Sequence, residues 1–318
     1  MSGHTFRSLS EPQLPPGNPA PPRKRLRPDL LPYALFFPAL VAIGAILFYP
    51  VLQAMVISLR SYYLPNIVTK GTPFCGLANY RAIWEAPEFW HALIFNGIYT
   101  VASVAGLYGV SLAVALLLND EFRGRGLFRS LAIVPWAVPY VVAALTWIWI
   151  LDIQFGVLNS VLLRSGVIEK AIPWLLSPGW AKFSVILSTI WKQFPFAAIM
   201  LLAGLQSIPR ELYEAAGVDG AGPFSRFRYV TMPGLHNVSL LVILLTGIQV
   251  FKLFTVIYLL TGGGPGRATE TLVVQTYIEA FSTFDMGRAS AIGVVTLVLT
   301  LIFSFALIRF GYREEARL

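Results

Sequence analysis

Charge is nearly absent from six long stretches of the chain and concentrated between them. Residues 30–59, 92–119, 130–151 and 289–308 contain no Asp, Glu, Lys or Arg, while 183–209 holds only Lys192 and 236–266 only Lys252. These are continuous apolar runs, each as long as the roughly 20 residues a helix needs to cross a bilayer. Lipid offers no partners to free backbone groups, so helices satisfy such runs where open strands cannot. A membrane β-barrel would instead show alternating segments of about ten residues. The pattern predicts an all-α polytopic membrane protein with six transmembrane helices at about 32–58, 93–118, 130–151, 183–206, 237–260 and 289–309. Pro135, Pro139 and Pro195 lie inside spans, where each removes a backbone donor and bends its helix.

The charged residues set an orientation. With the N-terminus inside, 14 of the 24 lysines and arginines fall on inner segments and eight on outer ones. The positive-inside bias therefore favours both termini inside, led by the cluster Arg23, Lys24, Arg25 and Arg27 before the first span. Residues 1–29 are polar and Pro-rich and read as a disordered cytoplasmic tail, with the membrane domain over 30–318. The first apolar run is too long for a signal-peptide core and no small-x-small cleavage site follows it, so it reads as an uncleaved helix. Trp84, Trp90, Trp174 and Trp180 sit near span ends, where interfacial anchoring is the ordinary reason for tryptophan.

Composition agrees with a bilayer: 56% of the 318 residues are hydrophobic, 13% are charged and the mean hydropathy is +0.67. Too few charges remain to cover a water-facing surface. The net charge of +8 raises nucleic acid as a partner, but no basic stripe interleaved with aromatics is present, so none is expected. Cys75 is alone and cannot form a bridge within the chain, and His4, His91 and His236 are too scattered to suggest a metal site. No Ser/His, paired-Asp or metal constellation lies in a span, so no catalytic residue is nominated. Lys192 and Lys252 are the two intramembrane charges, and no span holds an acid to pair with them. Two readings stand for each: a place on a translocation pathway, or snorkelling and pairing with backbone carbonyls. Trp191, Gln193 and Gln249 are pathway candidates by position.

The inner segment 207–235 carries the most specific pattern. Pro209 suits a helix start, and Glu211 and Glu214 sit early, where the helix dipole favours acids. Leu212, Ala215 and Ala216 share a face, Gly217 and Gly220 permit a stop, and Gly222-Pro223 opens a second short helix that ends at Pro233-Gly234. So short a helix-turn-helix cannot build its own core. It either lies on the membrane surface or presents its exposed side to a partner. Glu214-Ala215-Ala216, three residues, Gly220, nine residues, and then Val230-Thr231-Met232-Pro233 resembles the EAA loop of ABC importer permeases. Val230 and Met232 depart from the family's Ile and Leu by volume-similar swaps. Leu260-Thr261-Gly262-Gly263-Gly264-Pro265 is similar to a segment of the carbohydrate and glycerol-3-phosphate permeases. So are Trp191-Lys192 with Pro195-Phe196, and Gly76-Leu77-Ala78-Asn79-Tyr80.

The resemblance spans about 30–310 and implies a type I ABC importer permease fold in a bacterial or archaeal cytoplasmic membrane. It implies ATPase-coupling contacts at Glu211, Glu214, Ala215, Ala216, Gly217, Asp219, Gly220 and Pro233. For Glu214 the other reading is a helix-dipole interaction alone. The implied partners are a second homologous permease (a heterodimer), a cytoplasmic ABC ATPase dimer, and an extracytoplasmic solute-binding protein that delivers a carbohydrate. Membrane lipid surrounds them. The chain lacks G-x-x-x-x-G-K-[ST], so it binds no cofactor of its own, and ATP and Mg belong to the partner ATPase. Gly262, Gly263, Gly264 and Pro265 read either as a flexible helix end or as an outer-gate or binding-protein contact. Glycerol-3-phosphate or another polar solute is the alternative cargo. A stand-alone secondary transporter is the alternative class, though inverted repeats and intramembrane acids are missing.

Overall fold

With no water in the hydrocarbon core to bond free backbone groups, long apolar runs fold into helices, and the charge-free stretches do so. The structure is a computed structural model that describes residues 31–315. The expected tail at 1–29 lies outside the described residues. The chain divides into two compact units, Met1–Pro50 and Val51–Leu318. In the first, α1 (Leu31–Ile43) runs through a π-helical segment, Gly44–Phe48, into α2 (Tyr49–Ser58), which leads on into the second. The apolar side chains Leu35, Phe37, Leu40, Ile46 and Phe48 are exposed, as on a helix with lipid or a partner for its neighbour.

In the second unit the short α3 (Ile67–Lys70) and α4 (Ala78–Glu85) precede α5 (Pro87–Asn119), a single helix of 33 residues. Then come α6 (Arg125–Ala137), α7 (Tyr140–Ile150), α8 (Val157–Arg164) and α9 (Pro178–Ser207). The loop helices α10 (Arg210–Val218), α11 (Pro223–Arg226) and α12 (Met232–Gly234) follow, then α13 (His236–Phe251), α14 (Thr255–Thr261), α15 (Leu272–Phe281) and α16 (Met286–Glu315). The core is built on α5 and α9. Leu107 and Ala115 meet Ala197, Leu201 and Leu205 at one end of the pair, and Phe95 and Tyr99 meet Val185 at the other. Gly106 permits the approach, since a Cβ there would fall 2.5 Å from the Ile190 side chain. Hydroxyls tie the helices within the apolar medium. Tyr99 Oη lies 2.8 Å from Thr189 Oγ1, Ser111 Oγ donates to the Phe194 carbonyl at 2.9 Å, and Tyr108 Oη lies 2.7 Å from Ser239 Oγ. Such bonds between helices are worth roughly 0.6 kcal/mol each in a membrane.

Four helical segments are long and apolar enough to cross a bilayer unbroken: 35–58, Pro87–Asn119, Pro178–Ser207 and Met286–Ala306. Two bent pairs raise the number to six if each is one span: α6 with α7 at 96°, and Pro223–Gly234 with α13 at 66°. The third expected span is therefore two half-helices, broken where Pro139 lacks an N–H and Val138 is extended. The fifth is also discontinuous. α13 ends at Phe251, and 16 residues rise about 24 Å, short of the roughly 30 Å hydrocarbon core. Helix resumes only at Thr255. Trp174 differs from the anchoring role expected of it: it is 5% exposed, and its Nε1 donates to Asn159 Oδ1 at 3.0 Å. Trp84 and Trp180 keep exposed faces.

Candidate functional site

The loop joining α9 to α13 folds as the alternation of helix formers and glycine dictates. Pro209 caps α10, and Glu211 lies in its first turn. The Asp219 N–H donates to the Ala215 carbonyl at 3.0 Å and the Ala221 N–H to the Ala216 carbonyl at 2.9 Å, closing the helix. Gly220 then turns the chain at φ +77°, a conformation open to glycine and costly for side chains with a Cβ. Arg226 folds back from α11 and donates Nε to the Ala221 carbonyl at 2.9 Å. Gly217 makes room for this, because a Cβ there would sit 3.0 Å from Arg226 Nη2. Tyr213 Oη lies 3.0 Å from Thr231 Oγ1, so α10 is tied to the segment before α12. The inner side of the loop joins the core through Ile208 and Leu235.

Its outer side has no cover among the described residues. Glu211, Glu214, Ala215, Asp219 and Gly220 are exposed, Ala216 and Gly217 half-buried, and Pro233 exposed. Leu212, Phe224 and Tyr229 add exposed apolar area around Val218, which is 90% exposed. The structure thus gathers the expected coupling residues on α10 and its turn, except Pro233, which sits at the far end of the loop. Glu214 makes no ion pair among the described residues. Arg210 reaches Glu121 at 3.6 Å, which brings the α5–α6 turn beside the loop.

The intramembrane candidates separate. Lys192 is 3% exposed and donates Nζ to the carbonyls of Pro135 (3.0 Å) and Trp136 (2.9 Å), with Nζ 4.7 Å from the Tyr140 ring centroid. These carbonyls are the ones the break orphans: Pro139 has no N–H to return to Pro135, and α7 starts too late to serve Trp136. Lys192 therefore takes the carbonyl-pairing role, as a cation at the C-terminal end of α6. Gln193 is buried with neither amide atom partnered, and Trp191 packs edge-to-face on Trp147 at 5.8 Å. Gln249 is exposed, as is Lys252 at the break after α13, where it makes no ion pair among the described residues. A feature missed in the sequence is the aromatic ladder Phe254, Tyr258, Tyr277 and Phe281, with successive centroids 4.6–4.9 Å apart. Its members come from α14 and α15, and no local spacing announces that pairing.

Gly262–Pro265 is a stapled turn. Gly262 caps α14 at φ +59°, and the Gly264 N–H donates to the Thr261 carbonyl at 2.8 Å. Thr269 Oγ1 donates to the Gly264 carbonyl at 2.8 Å and lies 2.6 Å from Thr261 Oγ1. Thr269, Glu270 and Thr271 are buried behind it. Arg267 spans Glu270 (3.2 Å) and Glu88 (3.6 Å), and Arg288 lies 3.5 Å from Glu279. Burial raises the pKa of the Glu270 carboxyl, with Arg267 opposing that and Glu279 and Glu88 adding to it. Asp152 and Asp285 act locally: each caps nearby backbone N–H groups, those of Gln154, Phe155 and Arg288.

Residues 105–311 match the family described as the binding-protein-dependent transport system inner membrane component. The chain is 35% identical over 289 residues to the trehalose/maltose transport system permease protein MalF of Thermococcus litoralis, covering 90% of this chain and 95% of that one. It is 38% identical over 274 residues to the sulfoquinovosyl glycerol transport system permease protein SmoG of Agrobacterium fabrum, covering 86% and 87%. The fold matches a bacterial ABC transporter involved in the import of alginate with a TM-score of 0.76 at 21% identity, over 90% of this chain and 96% of that one. A second structure of a bacterial alginate ABC transporter, with a pentasaccharide-bound periplasmic protein, gives 0.77 at 21% identity, over 91% and 98%. The chain belongs to the binding-protein-dependent ABC permease family, whose members are inner membrane components of importers.

Proposed function

We propose that this chain is one of two permease subunits of an ATP-driven importer and that it carries a carbohydrate delivered by an extracytoplasmic binding protein. The single observation behind this reading is the uncovered face of α10 and its turn, which sits within the family's spacing of Glu214, Ala215, Ala216 and Gly220. Alanines let a partner surface approach the backbone closely, and Val218, Phe224 and Tyr229 gain by burial. That partner is a cytoplasmic ATPase dimer holding ATP and Mg. Six spans with both termini on its side place the loop against it. The names of the two relatives and the alginate structures support a saccharide cargo.

Closure of the ATPase pair moves the loop. Because α10 and the segment before α12 are tied to each other and rooted in the core, the motion passes to α9 and α13 as rigid bodies. Trp191, Gln193, Gln249 and Lys252 face the cargo, with Gln193 contributing an amide that has no partner among the described residues. Lys192 holds the bend between α6 and α7 beside them. The turn at Gly262–Pro265 meets the binding protein or the outer gate. Purification of the intact assembly tests the reading: an ATPase and a second permease accompany the chain, and a sugar-loaded binding protein raises ATP hydrolysis. Transport by this chain alone in liposomes would overturn it.

A further inference from the structure

Between α6 and α9, at the end where the coupling loop begins, runs a groove of about 280 Å³. Its walls are apolar, formed by Ala132, Ile133, Ala198, Ile199 and Ala203, and Pro195 closes its far end. Arg129 and Gln206 line its near end, and Arg125 lies just beyond the lining. With the Gln206 amide oxygen turned toward them, Arg129 Nη2 (2.8 Å) and Arg125 Nη2 (3.0 Å) converge on that one neutral acceptor. Both Nε–H groups are buried and have no partner among the described residues. Among the described residues no carboxylate lies within ion-pair range of either arginine, since Glu121 turns to Arg210. The two guanidiniums also occupy the first turns of α6, whose N-terminus carries no acid and whose dipole is positive. Two cations converge at a positive helix end, an arrangement that favours an anion.

We propose that this groove holds one anionic glycerophospholipid from the leaflet on the coupling-loop side. Its phosphate lies on Arg125 and Arg129, and one acyl chain lies along Ile133, Ile199 and Ala203. The charge matches, and so does the division into a cationic end and an apolar body, which is the form of a headgroup pocket between membrane helices. Two convergent guanidiniums beside an apolar groove suit a phosphate with an attached acyl chain better than an apolar helix, which would leave both charges without an anion. The inference rests on α9 and the α6–α7 pair crossing a membrane and is independent of cargo or ATPase.

The test is native mass spectrometry of the full-length chain, with its co-purifying subunits, released from nanodiscs of phosphatidylcholine containing a minority of phosphatidylglycerol. The wild type retains one phosphatidylglycerol per chain. The double variant Arg125→Gln, Arg129→Gln retains about tenfold less, and Arg125→Lys, Arg129→Lys recovers most of the loss. Ala203→Trp fills the groove, leaves both arginines in place and also loses the lipid, so the result does not hinge on one pair of side chains. Equal retention in the double-Gln variant, or wild-type retention in Ala203→Trp, would overturn the proposal. So would displacement of the lipid by millimolar inorganic phosphate, which marks a simple anion site, or departure of the second permease from either variant, which marks a subunit seam.

Discussion

Two glycine-bearing turns, one after α10 and one after α14, were built to different ends. Gly220 and Gly262 both adopt positive φ and both close a helix. After Gly262 the chain folds onto itself: Thr269 bonds back across the turn, and Glu270 is 1% exposed. After Gly220 the chain presents Phe224 and Tyr229 to the outside and keeps only a thin inner seam. The lesson is that glycine content marks a turn, while the fate of the neighbouring side chains marks its use. A turn whose threonines bond back across it is a fixed fitting, and one that leaves apolar area uncovered has surface to offer a partner.

Perturbing each turn separately sharpens that contrast. The largest effect is expected from Gly220→Val. The branched side chain resists φ +77° and sits at the docking turn, so binding-protein-stimulated ATP hydrolysis by the reconstituted assembly falls by tenfold or more. Membrane insertion and the helical circular dichroism of the chain stay as in the wild type. Next comes Lys192→Met, which leaves the Pro135 and Trp136 carbonyls without donors and lowers stability by about 2 kcal/mol, read as a drop in the thermal midpoint in detergent. If the midpoint holds, the α6–α7 break does not need its cation.

Thr269→Val removes the staple of the outer turn and costs about 1 kcal/mol. Limited proteolysis between Gly262 and Thr271 then rises, while co-purification of the ATPase is unchanged. The smallest effect concerns Glu270. Its folded pKa is raised above the unfolded value, so its contribution is full in the acid range and is lost as pH climbs through the folded pKa. Glu270→Gln flattens the decline of the thermal midpoint from acid toward neutral pH. An unchanged slope in the variant would remove the carboxyl from that account.

The long helices were legible because a charge-free run of this length has few alternatives in lipid, and α5, α9 and α16 follow their runs closely. The interruptions were less so. Pro139 marks the α6–α7 break, and the i−4 rule even names Pro135 as the orphaned carbonyl, but which cation fills the gap depends on how α9 packs. The break at Lys252 involves neither proline nor glycine, and a change of backbone angle there leaves the apolar pattern intact. The spaced pattern of Glu214, Ala215, Ala216 and Gly220 was readable in the sequence. Their exposure was not, because it depends on what the rest of the chain leaves uncovered. Trp174 shows the reverse case: a tryptophan placed for anchoring is buried because Asn159 reaches its N–H.

The central claim is that the face of α10 seats against an ATPase. In a Cys75→Ser background, cysteine placed at Val218 is the direct probe, with cysteine at the exposed outer position Ser282 for comparison. Labelling with a short maleimide that carries a photoreactive group, followed by illumination of inverted membrane vesicles, should join the Val218→Cys chain to the ATPase, more so when ATP is present, and should leave the Ser282→Cys chain unjoined to it. A Val218→Cys chain that forms no adduct with the ATPase while the assembly still transports would contradict the account.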